Sequence, residues 1–342
     1  MYRSFYGLQR KPFELKPDGN CVYLSDTHEE AIANLEYGVD SEKGFLMLTG
    51  GVGTGKTTVL NALLATLDDR VRVCLINNPK LEVKEFYRFM ANLLGLQYND
   101  NKAEFIIQFL TLLEHCAEQN EKILLMIDEA QFFTVDLMDE VRLLANHAGN
   151  RDVLSIFFIG QPELLELLAH DRLLPLRQRI ELRYHLSELT RDDTTQYISF
   201  RLKRAGATES SIFSTEAIDS IHQATRGNPR LINVVCDHAL IAGFIQEKQT
   251  IGREVIVECL REIRLPGESG LQLAPVESLS EYESSHANGR GQQKTVPLLR
   301  NAVIGLLLLA LAGSVLYFSY QRGWLLPGGH STKINIGTLQ VK

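Results

Sequence analysis

The residues Gly50-Gly51-Val52-Gly53-Thr54-Gly55-Lys56-Thr57 fit the spacing G-x-x-x-x-G-K-[ST]. Glycines at these positions let the backbone turn until several N–H groups aim at phosphate oxygens, at the positive end of the helix that follows. Lys56 then reaches the β- and γ-phosphates of a nucleotide, the Thr57 hydroxyl ligates Mg²⁺, and Thr58 completes the phosphate-binding set. A second junction, ILLMIDEAQ, ends an apolar run on Asp128 and Glu129. Asp128 is expected to orient Mg²⁺ and its waters, and Glu129 to polarise an attacking water as general base. Together the two junctions point to ATP hydrolysis.

Further polar groups fall where the same edge is expected. FFIGQPEL ends an apolar run on Gln161, whose amide could hold the lytic water. Asn77 and Asn78 end another run and could touch Glu129. LPLRQRIEL carries Arg177 and Arg179, and RGNPRLIN carries Arg230. An arginine near the γ-phosphate stabilises transition-state charge and can come from a neighbouring subunit.

The elements that must position these groups are legible as apolar runs. Strands are expected at 44–50, 70–78, 122–128, 153–160 and 179–186, alternating with helices near 26–39, through 67, and at 82–95, 103–118 and 135–146. Near-continuous apolar strands alternating with helices imply an α/β parallel sheet covered on both faces. After residue 187 only helix-period patterns remain, at 190–205, 214–224, 229–247 and 252–263, which imply a small all-helical domain.

Composition fits this reading. Hydrophobic residues make up 45% and charged residues 23% of the 342, ordinary values for a globular core. The net charge of −7 argues against binding nucleic acid through bulk positive charge. The five cysteines are dispersed without a CxxC and the nine histidines lack metal-ligand spacing, so reduced thiols are expected and neither a disulfide framework nor a zinc site.

Residues 265–294 are rich in Gly, Ser and Glu and read as a flexible linker. Then RNAVIGLLLLALAGSVLYFSYQRG carries no charge between Arg300 and Arg322. Those residues span roughly 32 Å at about 1.5 Å per residue, enough for a hydrocarbon core of about 30 Å. Flanking basic residues are balanced: Arg290, Lys294 and Arg300 before, Arg322, Lys333 and Lys342 after. The N-terminal MYRSFYGLQRKPFELKP has no apolar h-region. A single-pass protein of the cytoplasmic membrane is therefore expected, with its nucleotide site in the cytoplasm.

Several blocks together resemble a known family. FYGLQRKPFELKPDGNCVYLSDTHEEAIANLEYGV is similar to the opening F-G-L-x-x-x-P-F-x-L-x-P-D…F-L-x-x-x-H-x-E-A of AAA+ ATPases of the general secretion pathway protein A (ExeA/GspA) type. GQPEL and LRQRIELRYHL resemble that family's later blocks, and MshM-like pilus ATPases and those of exosortase and exopolysaccharide loci group with it. The resemblance covers residues 1 to about 265 and implies a P-loop core with a helical lid. It makes Gln161 sensor 1, Arg230 sensor 2, and Arg177 or Arg179 the finger, and it places Val22, Tyr23 and Leu24 against adenine. It also implies a homo-oligomer, ring or filament. The expected division is 1–42 base-contacting, 43–187 core, 188–265 lid, 266–299 linker, 300–322 membrane helix and 323–342 extracytoplasmic tail. Members of this type often carry a peptidoglycan-binding domain after the span, and the residues after Arg322 are too few for one.

The function these expectations favour is ATP-driven assembly or operation of a bacterial envelope system: type II secretion, pilus biogenesis or polysaccharide export. The alternatives are a DNA-handling ATPase of the MuB/TniB transposition type and a nucleotide-dependent signalling switch. The acidic balance and the apolar segment make nucleic acid the weaker choice of partner.

Overall fold

A computed structural model describes residues 1–14, 22–41, 44–77, 80–149, 153–208 and 212–263. The expected linker, membrane helix and tail lie outside these residues, as does Asn78. Among the described residues no helix is long and apolar enough to cross a membrane.

In chain order the elements are α1 (Tyr2–Phe5), α2 (Asp26–Asp40), β1 (Phe45–Gly50), α3 (Lys56–Thr66), β2 (Val71–Ile76), α4 (Val83–Leu94), α5 (Lys102–Gln119) and β3 (Lys122–Ile127). There follow α6 (Val135–Ala148), β4 (Leu154–Gly160), α7 (Glu163–Leu168), α8 (Leu174–Arg179), β5 (Ile180–Leu186), α9 (Arg191–Arg204), α10 (Thr215–Thr225), α11 (Pro229–Ile245) and α12 (Arg253–Ile263). The strands form one five-stranded sheet in the order β2-β3-β4-β1-β5. Every pairing is parallel.

Alternation along the strands divides the core. Phe45 and Met47 of β1, with Ile123, Leu125 and Ile127 of β3, face a cluster built with α4, α5 and α6. Leu46 and Leu48, with Leu124 and Met126, face the opposite cluster with α2 and α3. Both faces of the central strands are thus buried, the physical reason their sequences are nearly continuous apolar runs.

The helices after β5 make a separate core around Ile198, Ile221, Cys236 and Val255. α9 begins with a capping box, Thr190 with Asp193, which satisfies two of the amides that a helix start leaves open.

Two local features differ from the sequence reading. α7 and α8 were not expected, because six residues make fewer than two turns and carry no readable period. Residues 1–14, grouped by the sequence with the base-contacting segment, instead put Tyr2, Tyr6, Leu8 and Phe13 into the lid's core. Tyr2 Oη donates to Asp237 at 2.7 Å and Tyr6 Oη to the Lys248 carbonyl at 3.0 Å. The N-terminal residues therefore pack with the lid, while α2 packs on the sheet.

Candidate functional site

β1 ends at Gly50 between β4 and β5, at the C-terminal edge of the sheet, where parallel α/β folds present their ligand crevices. The chain turns there through the glycine loop and enters α3 at Lys56. Gly55, the residue before α3, has φ of 108°, a left-handed conformation that glycine adopts without a Cβ penalty. A Cβ there would also run into His28 Nε2.

Lys56 is only 7% exposed. Its ammonium donates to the carbonyls of Gly50 at 2.8 Å and Gly51 at 2.9 Å. Burial lowers its pKa, and the negative charges of Glu129, Asp128 and Glu163 oppose that shift. Thr54 is buried, and its hydroxyl donates to the Gly51 carbonyl at 3.0 Å, closing the loop on itself. Val52, by contrast, is 55% exposed at the loop's tip.

β3 delivers the acidic pair. Asp128 Oδ1 accepts from the Glu129 N–H at 2.9 Å. Burial raises the Asp128 pKa, with the Glu129 charge adding to the rise and the amide bond and Lys56 opposing it. Glu129 itself has φ of 53°, so the chain turns sharply at this residue. Its Oε2 accepts from Gln131 Nε2 at 2.5 Å and from Gln161 Nε2 at 3.2 Å. Gln131 also accepts from the Gln161 N–H at 3.0 Å, so the two amides hold each other as well as the carboxylate. The expected neighbour Asn77 is exposed and is not among the groups bonded to Glu129.

The lid closes over this edge. Gly227 accepts from the Leu189 N–H at 3.0 Å, fastening the turn before α11 to the chain that leaves β5. Asn228 is the N-cap of α11, with Oδ1 accepting from Arg230 N at 3.1 Å and Leu231 N at 3.2 Å. Its Nδ2 donates to the Val52 carbonyl at 2.7 Å, so one side chain caps a lid helix and grips the glycine loop. Arg230 lies against the loop as well, since a Cβ on Gly53 would fall 2.6 Å from Arg230 Cβ.

Between loop, lid and N-terminal segment lies a cleft of about 940 Å³. Val22, Tyr23, Gly53, Gly55, Lys56, Thr57, Thr58, Glu129, Gln161 and Arg230 all line it. Tyr23 packs edge-on to Tyr197 of α9, with ring centroids 5.6 Å apart. Tyr197 Oη donates to Asn233 Oδ1 at 2.9 Å. Arg201 lies over the Tyr197 ring and donates to the carbonyls of Pro12 at 2.6 Å and Glu14 at 2.8 Å. The cleft therefore has an aromatic end at Tyr23 and Tyr197 and a polar end at Lys56, Glu129 and Gln161.

Arg177 and Arg179 lie elsewhere. Both belong to α8, and the Arg179 guanidinium sits 5.2 Å from the centre of the Phe45 ring and donates to Asn146 Oδ1. Phe45 begins β1 and Gly50 ends it. At ~3.3 Å per residue that separation is about 17 Å. Arg179 is thus at the opposite edge of the sheet from its own glycine loop. Arg177 is half-buried, and its guanidinium has no hydrogen-bond partner among the described residues; its carbonyl accepts from Arg183 at 2.7 Å.

Residues 39–168 match the family model of the AAA domain. The chain carries an AAA domain. It is 33% identical over 328 residues to general secretion pathway protein A of Aeromonas hydrophila, covering 95% of this chain and 54% of that protein. The chain thus spans about half the length of that relative. The resemblance to the general secretion pathway protein A type extends over nearly the whole chain, well beyond the AAA domain. Among solved structures it resembles Cdc6p from Pyrobaculum aerophilum, with 19% identity, a TM-score of 0.58 and coverage of 75% of this chain and 72% of that one. The ORC2 protein of Aeropyrum pernix gives 15% identity, a TM-score of 0.54 and coverage of 74% and 72%. Likeness at this level shows a shared fold.

Several residues of the site escaped the sequence reading. Asn228 had a signal, because an asparagine directly before a helix-opening proline is a strong N-cap. His28 stood in the H-x-E-A block without a role. Gln131, Tyr197 and Asn233 carried no local signal, since only tertiary packing brings them to the cleft.

Proposed function

We propose that this chain is a Mg²⁺-dependent ATPase. The observation that carries the reading is the Glu129 carboxylate, fixed by the amides of Gln131 and Gln161 on the wall of a cleft it shares with Lys56. A carboxylate held in one orientation can take a proton from a water within hydrogen-bond reach. Gln161 provides an amide at the same position and can orient that water. Lys56, with three N–H donors, can exchange its loop carbonyls for phosphate oxygens.

The donor set suits Mg²⁺. Thr57 offers a hydroxyl on the cleft wall, and Asp128 keeps one carboxylate oxygen without a hydrogen bond among the described residues. Hard oxygen donors of few charges, with room for water, are what Mg²⁺ requires. When bound it supplies neutralisation of phosphate charge. Tyr23, Tyr197 and Asn233 would receive the base.

The arginines support a homo-oligomer. With Arg179 against Phe45, at the end of β1 that lies about 17 Å from the loop, neither α8 arginine serves its own cleft, and either could reach that of an adjacent copy. Arg177 is the better finger, because Arg179 is already occupied by Asn146 and Phe45. The apolar segment 300–322 would anchor the assembly in the cytoplasmic membrane, and the kinship with general secretion pathway protein A favours an envelope system as client, whether secretion, pilus or polysaccharide export.

Purified Glu129→Gln should bind ATP as the parent does and lose turnover, while Lys56→Ala should lose binding. Parental turnover in Glu129→Gln would refute the assignment.

A further inference from the structure

α2 begins at the foot of the glycine loop, and His28, in its first turn, is 2% exposed. Nε2 lies 3.1 Å from the Thr54 carbonyl oxygen and Nδ1 lies 2.6 Å from Ser25 Oγ. A carbonyl can only accept, so Nε2 carries the hydrogen. In the neutral ring Nδ1 is then an acceptor, and the Ser25 hydroxyl must donate to it. Thr27 Oγ1, 2.9 Å from Ser25 Oγ, donates in turn. Burial lowers the His28 pKa, against smaller opposing effects of the Thr54 bond and the Asp193 charge, and so keeps the ring in this neutral form. Every polar atom of the ring is committed, and one of them is committed to the loop.

The loop residue it holds is informative. In a trans peptide the carbonyl and the following N–H project to opposite sides of the chain. His28 takes the Thr54 carbonyl from the α2 side, so the N–H of the same peptide, that of Gly55, is turned away from α2, and Gly55 lines the cleft. That N–H has no hydrogen-bond partner among the described residues. Gly55 is also the residue whose Cβ would strike the imidazole, so ring and glycine fix each other's place.

We propose that His28 is a positioning residue for the phosphate loop: by hydrogen-bonding the Thr54 carbonyl it aims the Gly55 N–H at the β-phosphate of the bound nucleotide. It sets how much the second phosphate adds to affinity, acting through one peptide group and not through contact with phosphate. The inference rests on the nucleotide reading above and extends it to a residue in another element.

The test uses the full chain and titrates ADP and AMP separately. Gln places its amide nitrogen where Nε2 of histidine lies and keeps the donor; Leu fills the space without one. The parent should prefer ADP over AMP. His28→Leu should weaken ADP binding by about fivefold or more, the worth of one hydrogen bond, and leave AMP within twofold. His28→Gln should restore most of the preference. An unchanged ADP-to-AMP ratio in His28→Leu overturns the proposal, as does an equal loss for both ligands, which marks a merely structural role. Should His28→Leu fail to fold by circular dichroism, a histidine-selective ¹⁵N spectrum of the parent chain decides. A neutral ring protonated on Nε2 supports the proposal, and a ring protonated on Nδ1 alone overturns it. A parent chain that binds neither ADP nor ATP removes the ATPase reading and this inference together. A parent that binds both and a His28→Leu chain that matches it remove only this inference.

Discussion

Asn228 has two side-chain ends with different duties, and substitution can separate them. Oδ1 caps α11 through the N–H groups of Arg230 and Leu231, and Nδ2 holds the Val52 carbonyl of the glycine loop at 2.7 Å. Asn228→Ala removes both. Loss of the cap costs about 1 kcal/mol, and loss of a net hydrogen bond about 1 kcal/mol more. The sum of about 2 kcal/mol is large against the ~5–15 kcal/mol that holds a domain folded. Asn228→Asp keeps an Oδ1 for the cap and adds negative charge at a helix N-terminus, where the helix dipole welcomes it. It also sets a carboxylate oxygen against the Val52 carbonyl and brings negative charge to the phosphate end of the cleft. The two properties should therefore rank differently. In urea melts the order is parent, then Asn228→Asp, then Asn228→Ala. In ATP titrations the order is parent, then Asn228→Ala at about fivefold weaker, then Asn228→Asp at about tenfold or more. If one order describes both assays, the division of duties is wrong.

Asp128→Asn should raise the urea midpoint while abolishing Mg²⁺-dependent turnover. Burial and the Glu129 charge raise the Asp128 pKa, so at neutral pH its charged form opposes folding, and the amide relieves that cost while still accepting from the Glu129 N–H. A lower midpoint would show that attraction to Lys56 outweighs burial. Arg177→Ala should bind ATP normally and hydrolyse it poorly, with activity partly recovered on mixing with Glu129→Gln chains. Arg179→Ala should mainly lower stability, by about 1 kcal/mol, since it loses a hydrogen bond and a ring contact. The reverse pattern in turnover and melting would exchange their roles. His28 and His222 are both held below the ordinary histidine value of 6.5 by burial, so the unfolded chain takes up protons first. Their contribution to stability is whole above about pH 6.5 and is lost as pH falls toward their folded values. The urea midpoint should accordingly fall between pH 7 and pH 5.5, and fall less in His28→Gln.

What could be read from the sequence follows from how far apart the interacting residues lie along the chain. β1, β3 and β4 announce themselves because a strand buried on both faces is apolar at nearly every position, as FLMLTG, KILLMI and LSIFFIG are. The glycine loop announces itself because its whole pattern, Gly50 to Thr57, lies in consecutive residues. The helices α7 and α8 do not, and with them went the knowledge that Arg177 and Arg179 sit on a helix leading into β5. The sequence also pointed to Asn77 for a neighbour of Glu129, where the chain instead turns at Glu129 and supplies Gln131 from two residues away.

The least legible feature was the one that joins the parts. Residues 1–14 read as an irregular aromatic stretch, yet Tyr2, Tyr6 and Phe13 are apolar ballast for helices more than two hundred residues downstream. Nothing local distinguishes an aromatic that packs on a base from one that packs on a helix. Once placed, the segment explains why the opening block carries both aromatics and a histidine. Arg201 of α9 holds its carbonyls at Pro12 and Glu14, Tyr23 meets Tyr197 across the cleft, and His28 grips the Thr54 carbonyl. From the lid's other end Asn228 grips the Val52 carbonyl. The glycine loop is therefore held at two of its carbonyls, Val52 by the lid and Thr54 by α2. Of these two bonds, the one at Val52 ties the loop to the lid directly and couples their positions.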